Sequence, residues 1–132
     1  MSRFFAVIFV AAIGTGSALA QSPPETSGSP IGYPNVATAL SALRTRPDIQ
    51  FSVQGGWIIA SEPAHNILWS FAPEGNPAYP SAVKRGLKEV NGAINIETKI
   101  LCEAPKAACD KLAIDFQKLN DGIKQSVQSP AR

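Results

Sequence analysis

Two cysteines, one histidine and a scatter of carboxylates are the side chains here that could do chemistry. Six residues separate Cys102 from Cys109. A thioredoxin-like redox pair needs Cys-x-x-Cys, and a zinc site needs further Cys or His ligands. The spacing instead predicts a structural disulfide, because paired cysteines in an exported chain oxidise. His65, the single histidine, falls in the turn-forming segment Ser61–Asn66 (SEPAHN). There it reads as a polar loop residue, or as a general base or ligand if a partner lies near. With both cysteines committed to each other, no Cys–His pair remains. No Gly-x-Ser-x-Gly elbow, Walker loop or dinucleotide fingerprint occurs. The sequence therefore predicts no metal, no cofactor and no catalytic residue.

Paired carboxylates that cleave glycosides need a fixed separation. Glu62 and Glu74 fall in turns, and Glu89 and Glu97 fall on opposite faces of one hairpin, so the spacing brings no two together. Arg85 and Glu89 share the core-facing side of a strand. They read as a polar site at the end of a sheet–helix groove, or as an edge ion pair with packed stems. Trp57, Trp69 and Tyr79 concentrate in the middle third, around the loop Ala72–Ser81 (APEGNPAYPS) with its three prolines. At least one tryptophan belongs in so small a core. The other, with Tyr79, is a candidate exposed patch, since loops carry recognition. The candidate binding residues are thus Tyr79, Trp69, Trp57, Arg85, Glu89 and His65.

The elements that position them follow from periodicity. Val36, Leu40 and Leu43 line one face of a helix opened by Pro34 and stopped by Pro47. Ile49–Val53 alternates as a half-buried strand, and Trp57–Ala60 and Ile67–Phe71 are strand-like. Gly55-Gly56 fits either a hairpin turn or a bulge. Asn91-Gly92 predicts a type I′ turn between Val83–Val90 and Ala93–Cys102. That turn pairs Val83 with Ile100, Arg85 with Thr98, Leu87 with Ile96 and Glu89 with Ile94 on one face. The polar outer face receives Lys84/Lys99, Gly86/Glu97 and Lys88/Asn95, with Glu97 offsetting the two opposed lysines. Pro105–Val127 is an amphipathic helix with the stripe Cys109, Leu112, Phe116, Leu119, Ile123. The predicted fold is α+β: a two-layer sandwich in which a four- or five-stranded antiparallel meander is covered on one face by an N-terminal and a C-terminal helix.

The ends locate the protein. Arg3, a short uncharged apolar run and Ala18-Leu19-Ala20 have the order of a secretory signal peptide over residues 1–20. Residues 21–32, rich in Pro, Ser and Gly, read as a flexible tether. Residues 33–125 form one domain, and 126–132 a flexible tail. The signal predicts a periplasmic or secreted protein, and no later segment is apolar enough to span a membrane. Losing Arg3 with the signal leaves 11 basic against 10 acidic side chains. That balance excludes an electrostatic nucleic-acid binder.

Trp69-Ser70-Phe71-Ala72-Pro73, Asn76-Pro77-Ala78-Tyr79-Pro80, Val83-Lys84-Arg85, Leu101-Cys102 and Ala107-Ala108-Cys109-Asp110 resemble small uncharacterised exported proteins of proteobacteria, over about Tyr33–Leu119. The resemblance implies a compact secreted domain and transfers no catalytic residue. The expected function is a non-enzymatic binding or interaction domain whose partner is another envelope protein. The alternatives are a small hydrolase and a small-molecule carrier with a pocket between sheet and helices.

Overall fold

The computed structural model describes residues 28–128. The predicted signal peptide, tether residues 21–27 and tail residues 129–132 lie outside the described residues. Helix α1 (Val36–Arg44) precedes strands β1 (Gln50–Gln54), β2 (Trp57–Glu62), β3 (Ile67–Phe71), β4 (Ser81–Val90) and β5 (Ala93–Cys102), and helix α2 (Lys106–Gln128) follows. The strands form one sheet in sequence order, and every neighbouring pair is antiparallel. The α+β class and the five-stranded meander are those the sequence predicts.

Local chemistry explains the turns. Gln54 pairs directly with Trp57, so Gly55-Gly56 is a two-residue hairpin turn, with φ of 57° and 83°. Asn91 and Gly92 likewise take φ of 52° and 78°, and the β4–β5 register runs outward from Val90↔Ala93 as the turn dictates. Asn35, rather than Pro34, caps α1: its Oδ1 accepts from Thr38 N at 2.8 Å. Pro34 stands one residue outside. Glu103, just past β5, accepts from Val36 N at 2.7 Å and ties the far edge of the sheet to the start of α1.

The helices do not share a face. Val36, Ala39 and Leu43 of α1 pack with Ala60, Trp69, Phe71 and Ala82. Leu112 and Phe116 of α2 pack with Val83, Ala78, Trp57, Ile100 and Cys102. In β4, Ala82 and Val83 are adjacent and so point to opposite faces. The predicted one-sided cover is therefore corrected to a helix on each side. Burial along β4 agrees: Ser81, Ala82 and Val83 are consecutive and all buried. One cover cannot bury three successive strand residues.

Both domain boundaries also move outward. Ile31, placed by sequence in the tether, is 1 % exposed and packs in the α1 core. A lone isoleucine among polar residues shows no periodicity, so its burial was not legible. At the other end α2 continues to Gln128. Its inner stripe is Leu112, Phe116 and Asn120, while Leu119 faces out. Asn120 takes the inner position because it has partners there: its Nδ2 donates to Thr98 Oγ1 at 2.7 Å.

Candidate functional site

Three cross-strand rows on the α1 face build the site. One row runs Phe51, Ala60, Trp69, Lys84, Lys99, and the next Glu62, Ile67, Gly86, Glu97. Lys88 opposite Asn95 begins a third. Glu62, the last residue of β2, is 5 % exposed. The chain leaving α1 brings Arg46 onto it, and Arg46 Nη2 donates to Glu62 Oε1 at 2.6 Å and to Asp48 Oδ2 at 2.6 Å. A single 3-10 turn, Pro63–His65, then folds His65 back, so that Nδ1 stands 2.9 Å from the same Oε1. An ionised carboxylate only accepts, which assigns the proton to Nδ1 and leaves Nε2 the free nitrogen. Burial pushes the Glu62 carboxyl up, but the bonds from Arg46 and then His65 outweigh it and hold the group below its usual range. The Trp69 indole N–H adds to that field, although it closes no hydrogen bond of normal geometry.

Beside this cluster lies a groove of about 210 Å³ whose lining includes His65, Ile67, Lys84, Gly86, Lys88, Glu97 and Lys99. Its floor is Ile67 and Gly86, and the missing side chain at Gly86 makes the hollow. A Cβ built there would meet nothing within 4 Å. Lys88 and Lys99 both reach Glu97, at 2.9 and 3.4 Å. They hold its carboxyl below the usual range, Lys88 most. Lys84 has no carboxylate partner among the described residues. Its ammonium sits 5.1 Å above the Trp69 ring, which fixes it at the groove wall.

The other candidates fall elsewhere. Trp69 is 2 % exposed and belongs to the α1 core, and Trp57 is half-buried edge-on against Phe116, with centroids 5.8 Å apart. The aromatic patch predicted from them is corrected: both rings are needed to fill two cores, and Tyr79 alone is exposed, at 44 %. Its loop is held by Tyr79 N to Asn76 O at 2.9 Å and Glu103 N to Pro80 O at 2.9 Å. Arg85 and Glu89 form neither an ion pair nor a joint site. Arg85 is 8 % exposed beneath α2, with its guanidinium 5.2 Å from the Phe116 ring and Nη1 3.4 Å from Asn120 Oδ1, while Glu89 is solvent-exposed. Burial alone lowers the Arg85 pKa, and its Nε has no partner. Cys102 and Cys109 are joined as predicted, with Cα atoms 5.7 Å apart.

The motif reading finds no Ser-x-x-Lys, and that is corrected: one stands in the chain. Ser81-Ala82-Val83-Lys84 spells Ser-x-x-Lys. In β4 the hydroxyl and the amine lie on opposite faces, and Ser81 is fully buried, so they form no catalytic pair. A second hollow, about 400 Å³, sets Leu68, Leu87 and Ile94 beside the polar Glu62, Lys88 and Glu89, and Arg85 does not line it. Among the described residues no three His, Cys, Asp or Glu groups converge as a metal site, and no helix is long and apolar enough to cross a membrane. Comparison with protein-family models, curated proteins and solved structures finds no match.

The hairpin register put Lys84, Lys99, Gly86, Glu97 and Lys88 on one face. Sequence reasoning took that face for a solvated one. Two signals were present in the chain: the Glu62–His65 spacing of three residues, and a glycine between two lysines on one strand face.

Proposed function

We propose that this protein is a small exported binding module of the bacterial envelope, which holds its ligand in the groove over Gly86. One observation carries the reading: three ammonium groups and an imidazole surround a hollow that contains a single carboxylate. The export half rests on the signal-like order of residues 1–20 and on the oxidised cysteine pair. The resemblance to small exported proteobacterial proteins points the same way. The non-catalytic half rests on how the one buried carboxylate is used. Glu62 is neutralised by Arg46, and among the described residues no hydroxyl or thiol bonds His65.

A hydrolase is the second reading, favoured by the His65–Glu62 pair at the groove's rim. A buried carboxylate orienting an imidazole is the supporting half of a general-base device. It lacks a nucleophile, which a bound water would have to supply.

Amide NMR spectra of the mature domain, recorded with fractionated envelope extract, test both. The expected result is that signals from residues 84–88 and 95–99 shift, that Gly86→Val abolishes the shifts, and that Tyr79→Ala keeps them with stability changed by less than about 0.5 kcal/mol. Shifts confined to Ala72–Ser81 would move the binding surface to that loop. No shift from any fraction overturns the module. Turnover lost in His65→Ala would establish the hydrolase.

A further inference from the structure

We propose that the group held in the groove is a phosphate, on a small ester or on a lipid headgroup. This rests on the groove being the binding surface. Three ammonium groups against one carboxylate leave it two charges positive. A phosphate monoester carries about −1.5 to −2 at neutral pH and offers three acceptor oxygens. Lysine meets such a group as a point charge from any direction. The fork of an arginine matches carboxylate and phosphate alike, so what favours a phosphate here is its second charge and its third oxygen. The groove's ammonium groups are all lysines, and the neighbouring arginines are used elsewhere: Arg46 on Glu62 and Asp48, Arg85 beneath α2.

The arrangement also resembles a seat already half taken. Glu97 lies across from Gly86 and bridges Lys88 and Lys99, so its carboxylate stands where an incoming anion would draw on the same two amines. Lys84 is left uncompensated and is held in place by Trp69. An arriving phosphate gains Lys84 at once and competes with Glu97 for the other two. The hollow of about 210 Å³ equals the liquid share of about seven waters, enough for a phosphate and a short stem.

Titration of the mature domain with inorganic phosphate, glycerol 3-phosphate and succinate, followed by the amides of residues 84–88 and 95–99, tests this. Flotation with phosphatidic acid in phosphatidylcholine vesicles runs in parallel. The expected result is saturable binding of glycerol 3-phosphate or of the vesicles, with succinate at least about fivefold weaker. Lys84→Gln should weaken binding by about fivefold or more, and Glu97→Gln should strengthen it. Gly86→Val should abolish it by filling the floor without altering charge. Binding to vesicles alone assigns the phosphate to a lipid, and binding to the soluble ester assigns it to a small molecule. Succinate binding as tightly as phosphate overturns the proposal, as does phosphate binding that survives both Gly86→Val and Lys84→Gln. If envelope extract shifts the groove while no phosphate probe does, the phosphate is wrong and the binding module stands.

Discussion

Arg46 Nη2 and Glu62 Oε1 meet at 2.6 Å across sixteen residues of sequence, joining the segment after α1 to the end of β2. The contact lowers the pKa of a buried carboxyl despite its desolvation. A carboxyl whose folded pKa lies below its ordinary 4.5 adds stability above that pH and loses it as pH falls through the folded value. Glu62→Gln should cost about 1–3 kcal/mol near neutrality, because Arg46 loses its counter-charge. The gap between wild type and variant should narrow as pH falls below the carboxyl's ordinary 4.5. Denaturant curves at neutral pH and at about pH 3 measure both. A gap that widens in acid would contradict the assignment.

Arg85 leads to an opposite expectation. Its charge is buried without a carboxylate, and its Nε is unpaired. Replacing such a group by an apolar side chain of similar length removes a desolvation penalty. Arg85→Met should leave stability unchanged or raise it by about 1 kcal/mol, a gain of about 4–8 °C in Tm for a domain of this size. Asn120 keeps Thr98 as partner in that variant. A clear fall in Tm would mean that the guanidinium does more for the α2 core than stack on Phe116.

Reduction of Cys102–Cys109 should destabilise the domain by about 2–3 kcal/mol, the loop-closure entropy of its short loop. Melting with and without reductant measures this. Thiol titration in denaturant without reductant should find no free thiol. Two thiols per chain would remove the staple between β5 and α2.

How legible was this molecule? Alternation and the Asn91-Gly92 turn fixed the β4–β5 pairing residue by residue, because side-chain period and turn type leave one register. The disulfide followed from compartment and count. The side on which each helix lies did not follow. A short amphipathic helix states which of its own faces is buried and nothing about which sheet face receives it. Trp57 and Trp69 were similarly ambiguous, since a large aromatic serves a core and a surface equally well. The Glu62 cluster needed Arg46, which lies beyond any local window. The groove needed the absence of a side chain at Gly86, which is visible only once the lysines around it are placed.

Lys84 and Arg85 are consecutive residues of β4, yet one faces the groove and the other is covered by α2. The strand is pinned at its start by Ala72 N to Ser81 O at 3.1 Å, and again at Leu87, whose N donates to Asn66 O at 3.0 Å. A one-residue slip of β4 would exchange the two cations and take Gly86 off the floor. The groove would then offer a forked guanidinium in place of a compact ammonium, and a full side chain where there had been space. The alignment of one strand thus selects the chemistry of the surface. A backbone change that left every residue type intact would alter which cation lines the groove.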